Sequence, residues 1–464
     1  MDGRLGTLVS AGARAGRPVA MLAHAYYEED SRVRRQAESL VSAGRPVDVF
    51  ALRRVGDAPS DVIAGVQLSR LPVSRHQGAG LATYLREYAE FFGRAAIALA
   101  RAHRRRRYAL VQVHTLPDFL VFAALPLRMA RVPVLLDLHE AMPAFFKSRF
   151  PRSWGALAVR ALEIQETLAT SFADAVVTVN DALADRLVRR GVRPEKLTVI
   201  VNGPVRDLFA PELHAPRSFM ADGRLRLVYA GALTPIYELD VVLRAVATLW
   251  QTRPALRPEL DIYGRGDSEP GLRKLAAQLR IEDHVRFNGR IPLEAVPGAI
   301  AMADIGLAPT RRDPFTDFSL SSKLLEYAAM DKPVVASRLA TLQRYFPSGT
   351  VITYEPGNPD DLARVLGAAA DDPGLRRRTL QATRERLSAL DWDAQSAKYV
   401  ALVERLAGGR LSSGDSAPIA AEAPSRNGAD PGVAQAADAT AGPGSDASVE
   451  HATAGRSSQR SEVA

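Results

Sequence analysis

The 464-residue chain contains no cysteine. This absence excludes disulfide bonds, thiolate zinc sites and cysteine nucleophiles, and it is typical of proteins that fold in a reducing compartment. The sequence also has no zinc-finger spacing and no aromatic-rich basic ribbon, so we expect no nucleic-acid partner. What it does have is an apolar fraction of 47%, which is ordinary for a globular protein and sufficient for more than one core.

Long hydrophobic runs are absent as well. The longest, residues 119–127, is interrupted by Pro126 and followed by Arg128, and it falls short of the roughly 18 residues that a membrane span needs. The first twenty residues alternate arginine and glycine with small residues and lack the apolar centre of a signal peptide. We therefore expect a cytoplasmic protein without a transmembrane segment.

The net charge of +8 is unevenly distributed, because residues 411–464 contain three basic and seven acidic residues. The densest basic cluster, residues 101–107, ends a predicted helix that begins near Leu81. It fits a solvated helix end that complements the helix dipole, and it also fits a peripheral contact with anionic lipid headgroups on the inner face of the cytoplasmic membrane. Residues 410–464 are poor in apolar side chains and predict a disordered tail, and residues 1–16 predict a flexible N-terminus.

Apolar β-branched runs alternate with amphipathic helical stretches throughout the remaining chain, which is typical of parallel sheets covered by helices. The pattern predicts one domain over residues 17–205 and restarts over residues 224–390, with a proline-rich linker at 206–223. A last helix is predicted at 391–409, with Asp391 as its N-cap. The sequence thus predicts an α/β protein in which two Rossmann-like domains face each other across a cleft.

Residues 319–337 carry the strongest chemical signal of the chain. They predict a short helix with Ser321 and Ser322 as caps, followed by a buried strand. Lys323 and Glu326 are three residues apart and so share one helical face. A cation, a carboxylate and backbone donors at one helix N-terminus suit an anionic ligand that carries hydroxyl groups, such as a sugar nucleotide.

The same segment resembles the donor-site signature of the family 4 retaining glycosyltransferases, which have the GT-B fold. Other segments look like further landmarks of that family, in the same order: residues 25–49, 136–140, 180–187, 196–209, 229–233 and 263–266. The similarity extends over roughly residues 19–406. It implies an enzyme that transfers a sugar from a nucleoside diphosphate to an acceptor, with retention of anomeric configuration and without a bound metal or other cofactor.

The resemblance also implies roles for individual residues. In the catalytic set, Glu326 would accept hydrogen bonds from the ribose hydroxyls, Lys323 would offset the charge of the departing diphosphate, and His139 would touch the donor sugar. A surface ion pair for Glu326 and a purely structural histidine remain the alternatives. The implied donor-binding residues are Gly231, Gly264, Gly266, Arg290, Arg311, Arg312, Ser321 and Ser322, and the implied acceptor-side residues are Glu140 and His114.

The chain departs from the family pattern at three positions. The family usually has a glutamate eight residues before Glu326, where this chain has Phe318. It often has an arginine and a lysine facing the diphosphate, where this chain has Ala232 and Tyr237. Gly264 and Gly266 fit a structural turn as well as a ligand contact.

The partners implied by the resemblance are a nucleotide-sugar donor and a carbohydrate or lipid-linked acceptor, such as a glycolipid or a growing surface polysaccharide. Two enzymatic alternatives stay open, an inverting GT-B transferase and a sugar-nucleotide epimerase. A two-lobed α/β ligand-binding protein is the non-enzymatic alternative.

Overall fold

The computed structural model describes residues 16–73, 81–149, 155–215 and 217–408. The predictions for the N-terminal residues 1–15 and for the tail after residue 408 lie outside this part of the chain. The predicted two-domain α/β architecture is confirmed by two separate β-sheets with helices on both faces.

The first domain is built on an eight-stranded sheet with the order β3-β4-β2-β1-β5-β6-β7-β8. Its strands are β1 (Val19–Leu22), β2 (Val47–Leu52), β3 (Ser60–Ile63), β4 (Val66–Leu71), β5 (Leu110–His114), β6 (Val134–Leu138), β7 (Ala175–Thr178) and β8 (Leu197–Val199). All neighbours pair in parallel except β3 and β4. Its helices are α1 (Ser31–Ser42), α2 (Leu81–Arg106), α3 (Leu125–Met129), α4 (Met142–Arg149), α5 (Ala156–Phe172) and α6 (Asp181–Arg189).

The second domain has a six-stranded, fully parallel sheet with the order β11-β10-β9-β12-β13-β14. Its strands are β9 (Arg226–Ala230), β10 (Glu259–Tyr263), β11 (Val285–Gly289), β12 (Ile305–Ala308), β13 (Val334–Ser337) and β14 (Ile352–Tyr354). The later helices are α7 (Leu239–Thr252), α8 (Glu269–Gln278), α9 (Val296–Ala301), α10 (Ser322–Ala329), α11 (Ala340–Tyr345), α12 (Pro359–Asp371), α13 (Pro373–Leu387) and α14 (Trp392–Ala407).

The inner strands of each sheet, such as β1, β5, β6 and β12, are buried on both faces, which explains the continuous apolar runs in the sequence. In β1, Val19 and Met21 pack into one core, whereas Ala20 and Leu22 pack into the core on the opposite face. Such alternation follows from the two-residue period of a strand. None of the described helices combines the length and the apolar character that a membrane-spanning helix requires.

The last helix, α14, packs against the first domain although it follows the second in sequence. Trp392 and Tyr399 are buried in the core beneath α1 and β1, and Tyr399 Oη donates to Gln112 Oε1 at 2.6 Å. Asp391 is the N-cap, since its Oδ1 accepts from Ala394 N, which confirms that prediction. The chain thus passes from the first domain to the second and returns.

The antiparallel hairpin of β3 and β4 was not predicted. Its two-residue turn is formed by Ala64 and Gly65, which both have positive φ angles, 48° and 79°. Turns of this type usually contain asparagine or aspartate before glycine. Alanine in the first turn position removed the signal by which the hairpin is normally found.

Candidate active site

A cavity of about 250 Å³ lies between the two domains. From the first domain it is lined by residues that follow β6, β7 and β8, among them His139, Asn180 and Asn202. Thr310 and Lys323 are among the residues that line it from the second domain. Ligands of open α/β sheets bind at the carboxyl ends of the strands, and here two such edges face each other.

The order of strands in the second sheet gives the cleft two arms. Gly231 follows β9, which lies between β10 and β12. Gly264 and Arg290 follow β10 and β11 on one side, and Thr310 and Ser337 lie at the ends of β12 and β13 on the other. The cavity belongs to the β12–β13 arm, because Thr310 and Ser337 line it.

Lys323 is at the junction of the two arms. It is buried, and its Nζ lies 3.8 Å from the centroid of the Tyr237 ring and 5.5 Å from that of Tyr229. A Cβ atom on Gly231 would lie 2.2 Å from Lys323 Cε. The glycine is therefore required for the lysine to reach this place, and two aromatic faces hold its ammonium group.

Gly264 and Gly266 have a structural reason to be glycine. A Cβ on Gly264 would lie 1.8 Å from the carbonyl oxygen of Gly231, and one on Gly266 would lie 2.2 Å from that of Leu233. These glycines let the loops after β9 and β10 run side by side, joined by hydrogen bonds such as Leu233 N to Arg265 O. Close packing of the two loops accounts for both positions.

Glu326 lies beside the cavity rather than in its wall. It interacts with Ser322 and Lys323 on its own helix and with Arg35 of the first domain. Burial raises the pKa of the Glu326 carboxyl, and these partners oppose that shift. The carboxylate therefore faces α1 across the domain interface.

Arg35 was missed by the sequence analysis. Its Nη1 donates to Gly203 O at 2.6 Å, and its guanidinium lies 5.0 Å from the centroid of the Trp392 ring. Burial, with help from the neighbouring Arg32, lowers the pKa of Arg35 to about 10. Three arginines near the start of α1 were the available signal, but nothing in the sequence indicated which of them faces the other domain.

His139 belongs to a hydrogen-bonded group at the ends of β5 and β6. Its Nε2 lies 3.4 Å from Asp137 Oδ2 and 3.4 Å from His114 Nδ1. Burial by itself would raise the pKa of Asp137, but the Arg32 guanidinium and His139 hold it well below its usual range. The Asp137 carboxylate is thus a fixed negative charge behind His139, whose ring lines the cavity.

His114 is fully buried and does not line the cavity. Burial lowers the pKa of its imidazole, so the ring is neutral at physiological pH. Its place behind His139 suits a positioning role better than a contact with the acceptor. Glu140, by contrast, does line the cavity, and burial raises the pKa of its carboxyl.

The ligand atoms of His114, Asp137 and His139 lie within 4.8 Å of one another, which is close enough for one metal ion. However, the hydrogen bonds that Asp137 already accepts do not suit a metal ion at this place. Arg32 donates to both carboxylate oxygens of Asp137, and Gln36 donates to one of them at 2.7 Å. A guanidinium bound to the same carboxylate would repel a metal ion.

The predicted donor-site arginines are not gathered at the cavity. Arg311 pairs with Asp240 at 3.2 Å and Arg312 with Glu355 at 2.8 Å, and neither lines the cavity. Arg290 approaches Glu29 of the first domain at 3.9 Å, across the β10–β11 arm. The structure thus places Arg290 along the cleft, whereas the other two are engaged at the surface.

The two serines do line the cavity, but their predicted capping role is wrong. Ser321 is the N-cap of α10, yet its side chain makes no capping hydrogen bond. The Ser322 side chain is hydrogen-bonded to Glu326 instead. The Ser321 hydroxyl therefore does not accept a hydrogen bond from the first backbone N–H groups of α10.

Two family models match the chain. "Glycosyl transferase 4-like domain" matches residues 29–203, and "Glycosyl transferases group 1" matches residues 224–372. The first match falls within the first sheet domain and the second falls within the other. Together they account for well over half of the chain.

Individual proteins show the same similarity. A D-inositol 3-phosphate glycosyltransferase of Thermomonospora curvata is 27% identical over 378 residues, which cover 77% of this chain and 86% of the relative. The structure of a sucrose-phosphate synthase from Thermosynechococcus elongatus aligns with a TM-score of 0.66 at 19% identity, over 84% of this chain and 99% of that one. Anabaena HepE in complex with UDP-glucose aligns with a TM-score of 0.61 at 15% identity, over 83% and 99%.

The paired sheets, the interdomain cavity and the two family matches agree with one another. The chain belongs to the family 4 glycosyltransferases with the GT-B fold, and it is a glycosyltransferase.

Proposed function

We propose that the protein transfers a sugar from a nucleoside diphosphate to a carbohydrate or lipid-linked acceptor, with retention of anomeric configuration. The observation that carries this proposal is the position of Lys323 beside Gly231, where the two arms of the cleft meet. A diphosphate at this point would join a nucleoside in the β10–β11 arm to a sugar in the cavity. The relative crystallised with UDP-glucose supports this class of donor.

The nucleoside would lie along Gly264 and Arg290, with its ribose hydroxyls at Glu326. A carboxylate is a suitable acceptor for two hydroxyl donors. Arg35, which already neutralises part of the charge on Glu326, would keep this carboxylate ionised in a buried setting. The β10–β11 arm would thus bind the nucleoside, and Lys323 at the junction of the arms would provide the positive charge for the diphosphate.

Transfer would proceed in the closed cavity, where water that would hydrolyse the donor is excluded. Lys323 and the free backbone N–H groups of α10 would stabilise the negative charge of the departing diphosphate. A phosphate oxygen would take the acceptor proton on the same face, so that no separate base is needed. His139 would donate to a sugar hydroxyl, with Asp137 fixing its ring. We propose that no metal takes part, since Lys323 supplies the positive charge.

Glu140 lies beside His139 in the cavity wall and is the residue that we assign to the acceptor hydroxyl. The curated relative is named for an inositol phosphate acceptor, which is a polyol. A lipid-linked acceptor would bring the protein to a membrane surface. The exposed arginines at the end of α2 and exposed apolar side chains such as Ile97 and Leu168 suit such a contact.

The donor class is tested by thermal denaturation with UDP-, GDP- and ADP-sugars, because a ligand that binds only the folded state raises the melting temperature. We expect one nucleotide series to stabilise the protein and to be converted to free nucleotide. The anomer of the product, measured by NMR, separates retention from an inverting transferase, and a C-epimer of the donor would indicate an epimerase. Binding without any turnover would favour the two-lobed binding protein and reject the proposal.

Membrane contact is tested by flotation with vesicles of phosphatidylglycerol and of phosphatidylcholine. We expect binding to the anionic vesicles only, weakened by high salt and by substitution of Arg104 and Arg105 with glutamate. Both arginines are exposed. Equal binding to neutral vesicles, or no binding to either, would contradict this part of the proposal.

A further inference from the structure

Glu238, in the turn between β9 and α7, combines two unfavourable features. Its backbone has a φ angle of 25° and a ψ angle of 45°, and residues other than glycine rarely adopt a positive φ. Its side chain is ionisable, yet the residue is only 1% exposed. Backbone strain and the burial of a carboxyl group persist only where the surrounding contacts hold the residue in place.

The contacts that hold Glu238 are made by its carboxyl group. Its Oε1 atom accepts from Tyr354 Oη at 2.8 Å and from Ser337 Oγ at 3.2 Å. Tyr354 and Ser337 are the last residues of β14 and β13. Glu238 is also the N-cap residue of α7, but its side chain makes no capping hydrogen bond to that helix. The carboxyl group thus ties the turn before α7 to the carboxyl edge of the second sheet.

Tyr237, the residue before Glu238, lies between two such ties. On its other side, Ile236 O accepts from Arg311 N at 2.7 Å, in the loop that follows β12. The backbone is therefore bound to the sheet edge directly before and directly after Tyr237. The Tyr237 ring is the one whose centroid lies 3.8 Å from Lys323 Nζ. The position of this ring against the ammonium group thus depends on the conformation of the turn.

We infer that Glu238 is a positioning residue of the transfer reaction, which acts through Tyr237 to hold the ammonium group of Lys323 where the diphosphate binds. This inference rests on the proposed function, in which Lys323 offsets the charge of the departing diphosphate. Without the Glu238 carboxyl group the turn is released, and the ring no longer holds the lysine. The loss of a cation–π contact of this kind changes a rate by roughly fivefold. Because the charge matters most in the transition state, the loss should appear in kcat more than in the KM for the donor.

The test compares two variants of Glu238, with the nucleotide sugar that the thermal screen identifies and with release of free nucleotide as the measurement. Glu238→Gly removes the carboxyl group and also the strain, because glycine readily adopts a positive φ. We expect it to lower kcat by roughly fivefold. Glu238→Gln keeps an oxygen that accepts from Tyr354 and Ser337, so its kcat should stay within about twofold of the wild type. Arg280→Gly is the matched control, since Arg280 is an exposed residue of the second domain with a φ angle of 56°, and it should leave kcat unchanged.

A double-mutant cycle separates positioning from a general loss of structure. Tyr237→Leu removes the ring itself and should lower kcat at least as much as Glu238→Gly does. Since Glu238 acts through Tyr237, the double variant should be no slower than Tyr237→Leu, whereas a further loss of roughly fivefold would show independent effects and overturn the inference. Urea unfolding of the same preparations measures stability. A role restricted to stability would lower the free energy of unfolding and leave kcat unchanged.

The outcomes separate this inference from the proposed function. Wild-type kcat in a folded Glu238→Gly protein, or a Glu238→Gln protein as slow as Glu238→Gly, overturns the inference and leaves the glycosyltransferase reaction intact. Absence of turnover by the wild type with every nucleotide sugar contradicts both.

Tyr354→Phe answers the same question if Glu238→Gly does not fold. It removes one of the two hydroxyl groups that hold the carboxyl group and leaves Glu238 in place. We expect kcat to fall by at least about twofold, and to show no such fall when Tyr237→Leu is already present. An unchanged kcat in the folded Tyr354→Phe protein would overturn the inference.

Discussion

Lys323 owes its position to three residues of the segment 229–237, which is far from it in sequence. Gly231 leaves room for its side chain, and Tyr229 and Tyr237 cover its ammonium group. Ala232 and Tyr237 occupy two positions at which the family often has cations. The positive charge for a diphosphate is consequently concentrated in one buried lysine, and the reaction should depend on it strongly.

We expect Lys323→Ala and Glu326→Ala each to lower kcat/KM at least tenfold, which corresponds to about 1.4 kcal/mol. Lys323→Ala should act mainly on kcat if the charge matters most in the transition state. Lys274→Ala, on the exposed face of α8, serves as the control with an unchanged rate. Full activity in both folded variants would reject the site.

Gly231→Ala tests the position of Lys323 without changing the lysine itself. The added Cβ would overlap with Lys323 Cε, so the side chain must leave its place between the tyrosine rings. Donor affinity, measured by isothermal titration calorimetry, should fall by roughly tenfold, which is about 1.4 kcal/mol. Gly271→Ala in α8, where no atom lies within 4 Å of the new Cβ, should leave affinity unchanged.

Asp118 provides a test of stability that is independent of catalysis. Neither of its carboxylate oxygens has a hydrogen-bond partner within the described part of the chain, and the residue is fully buried. Burial and the nearby Glu166 raise the pKa of Asp118 to about 8, although Arg186 opposes the shift. The carboxyl group is therefore protonated in the folded protein at neutral pH.

Because the folded pKa lies above the unfolded value of 3.8, the folded state binds one more proton between these two values. The contribution of Asp118 to stability should fall as the pH rises from about 4 to about 8, by up to roughly 1.4 kcal/mol per pH unit. Urea unfolding of the wild type and Asp118→Asn at pH 5 and pH 8 measures it. The variant should gain relative stability at pH 8, and a constant difference would contradict the prediction.

Among the elements, α14 has a role that its place in the sequence does not indicate. It belongs in space to the first domain, where Trp392 Nε1 donates to Ser39 Oγ at 3.1 Å and the indole ring lies beneath Arg35. Since Arg35 also interacts with Glu326, α14 supports the predicted ribose-binding carboxylate through one intermediate side chain.

Trp392→Ala should therefore lower both stability and activity. Loss of a buried tryptophan costs about 3–5 kcal/mol, and the released Arg35 would no longer be held near Glu326. Urea unfolding and the KM for the donor are the measurements. Leu213→Ala, at a side chain that is 71% exposed, should change the free energy of unfolding by less than about 0.5 kcal/mol. A Trp392→Ala protein with wild-type stability and KM would contradict this account of α14.

At the scale of the whole molecule, the two domains are joined by direct polar contacts. Tyr345 Oη donates to Asp181 Oδ2 at 2.6 Å and accepts from Asp181 N at 2.9 Å. Ser148 Oγ donates to Asp313 Oδ2 at 2.9 Å. These bonds hold the domains in a closed arrangement around the cavity.

Tyr345→Phe removes the hydroxyl that links the domains but retains the aromatic ring. We expect a shift toward a more open arrangement, seen as a larger radius of gyration in small-angle X-ray scattering without donor, and an increase of KM by a few-fold, about 1 kcal/mol. Tyr263→Phe, on the β10–β11 side, is the matched control. Identical scattering and kinetics for Tyr345→Phe would show that these bonds do not favour closure.

Local sequence patterns predicted most of the fold. The apolar runs of β1 and β13 indicate buried strands in any parallel sheet. Asp391 caps α14 by accepting a hydrogen bond from Ala394 N, only three residues further along the chain. The hairpin of β3 and β4 was not predicted, because alanine, the residue at position 64, has no intrinsic preference for a positive φ. In the cavity, His139, Ser321 and Lys323 were anticipated from motifs, whereas Arg35 was not, because its hydrogen-bond partners Asn202 and Gly203 are 167 and 168 residues away in sequence.

The sequence by itself determined the two domains, the strands at whose ends the site lies, and the family to which the chain belongs. These depend on periodicity and on short motifs, in which interacting residues are close in sequence. Only the tertiary structure decided that Arg311 and Arg312 pair with surface carboxylates, that His114 lies behind His139, and that Phe318 and Leu183 line the same cavity. Such contacts join distant segments, and their geometry is set by how the domains pack against each other.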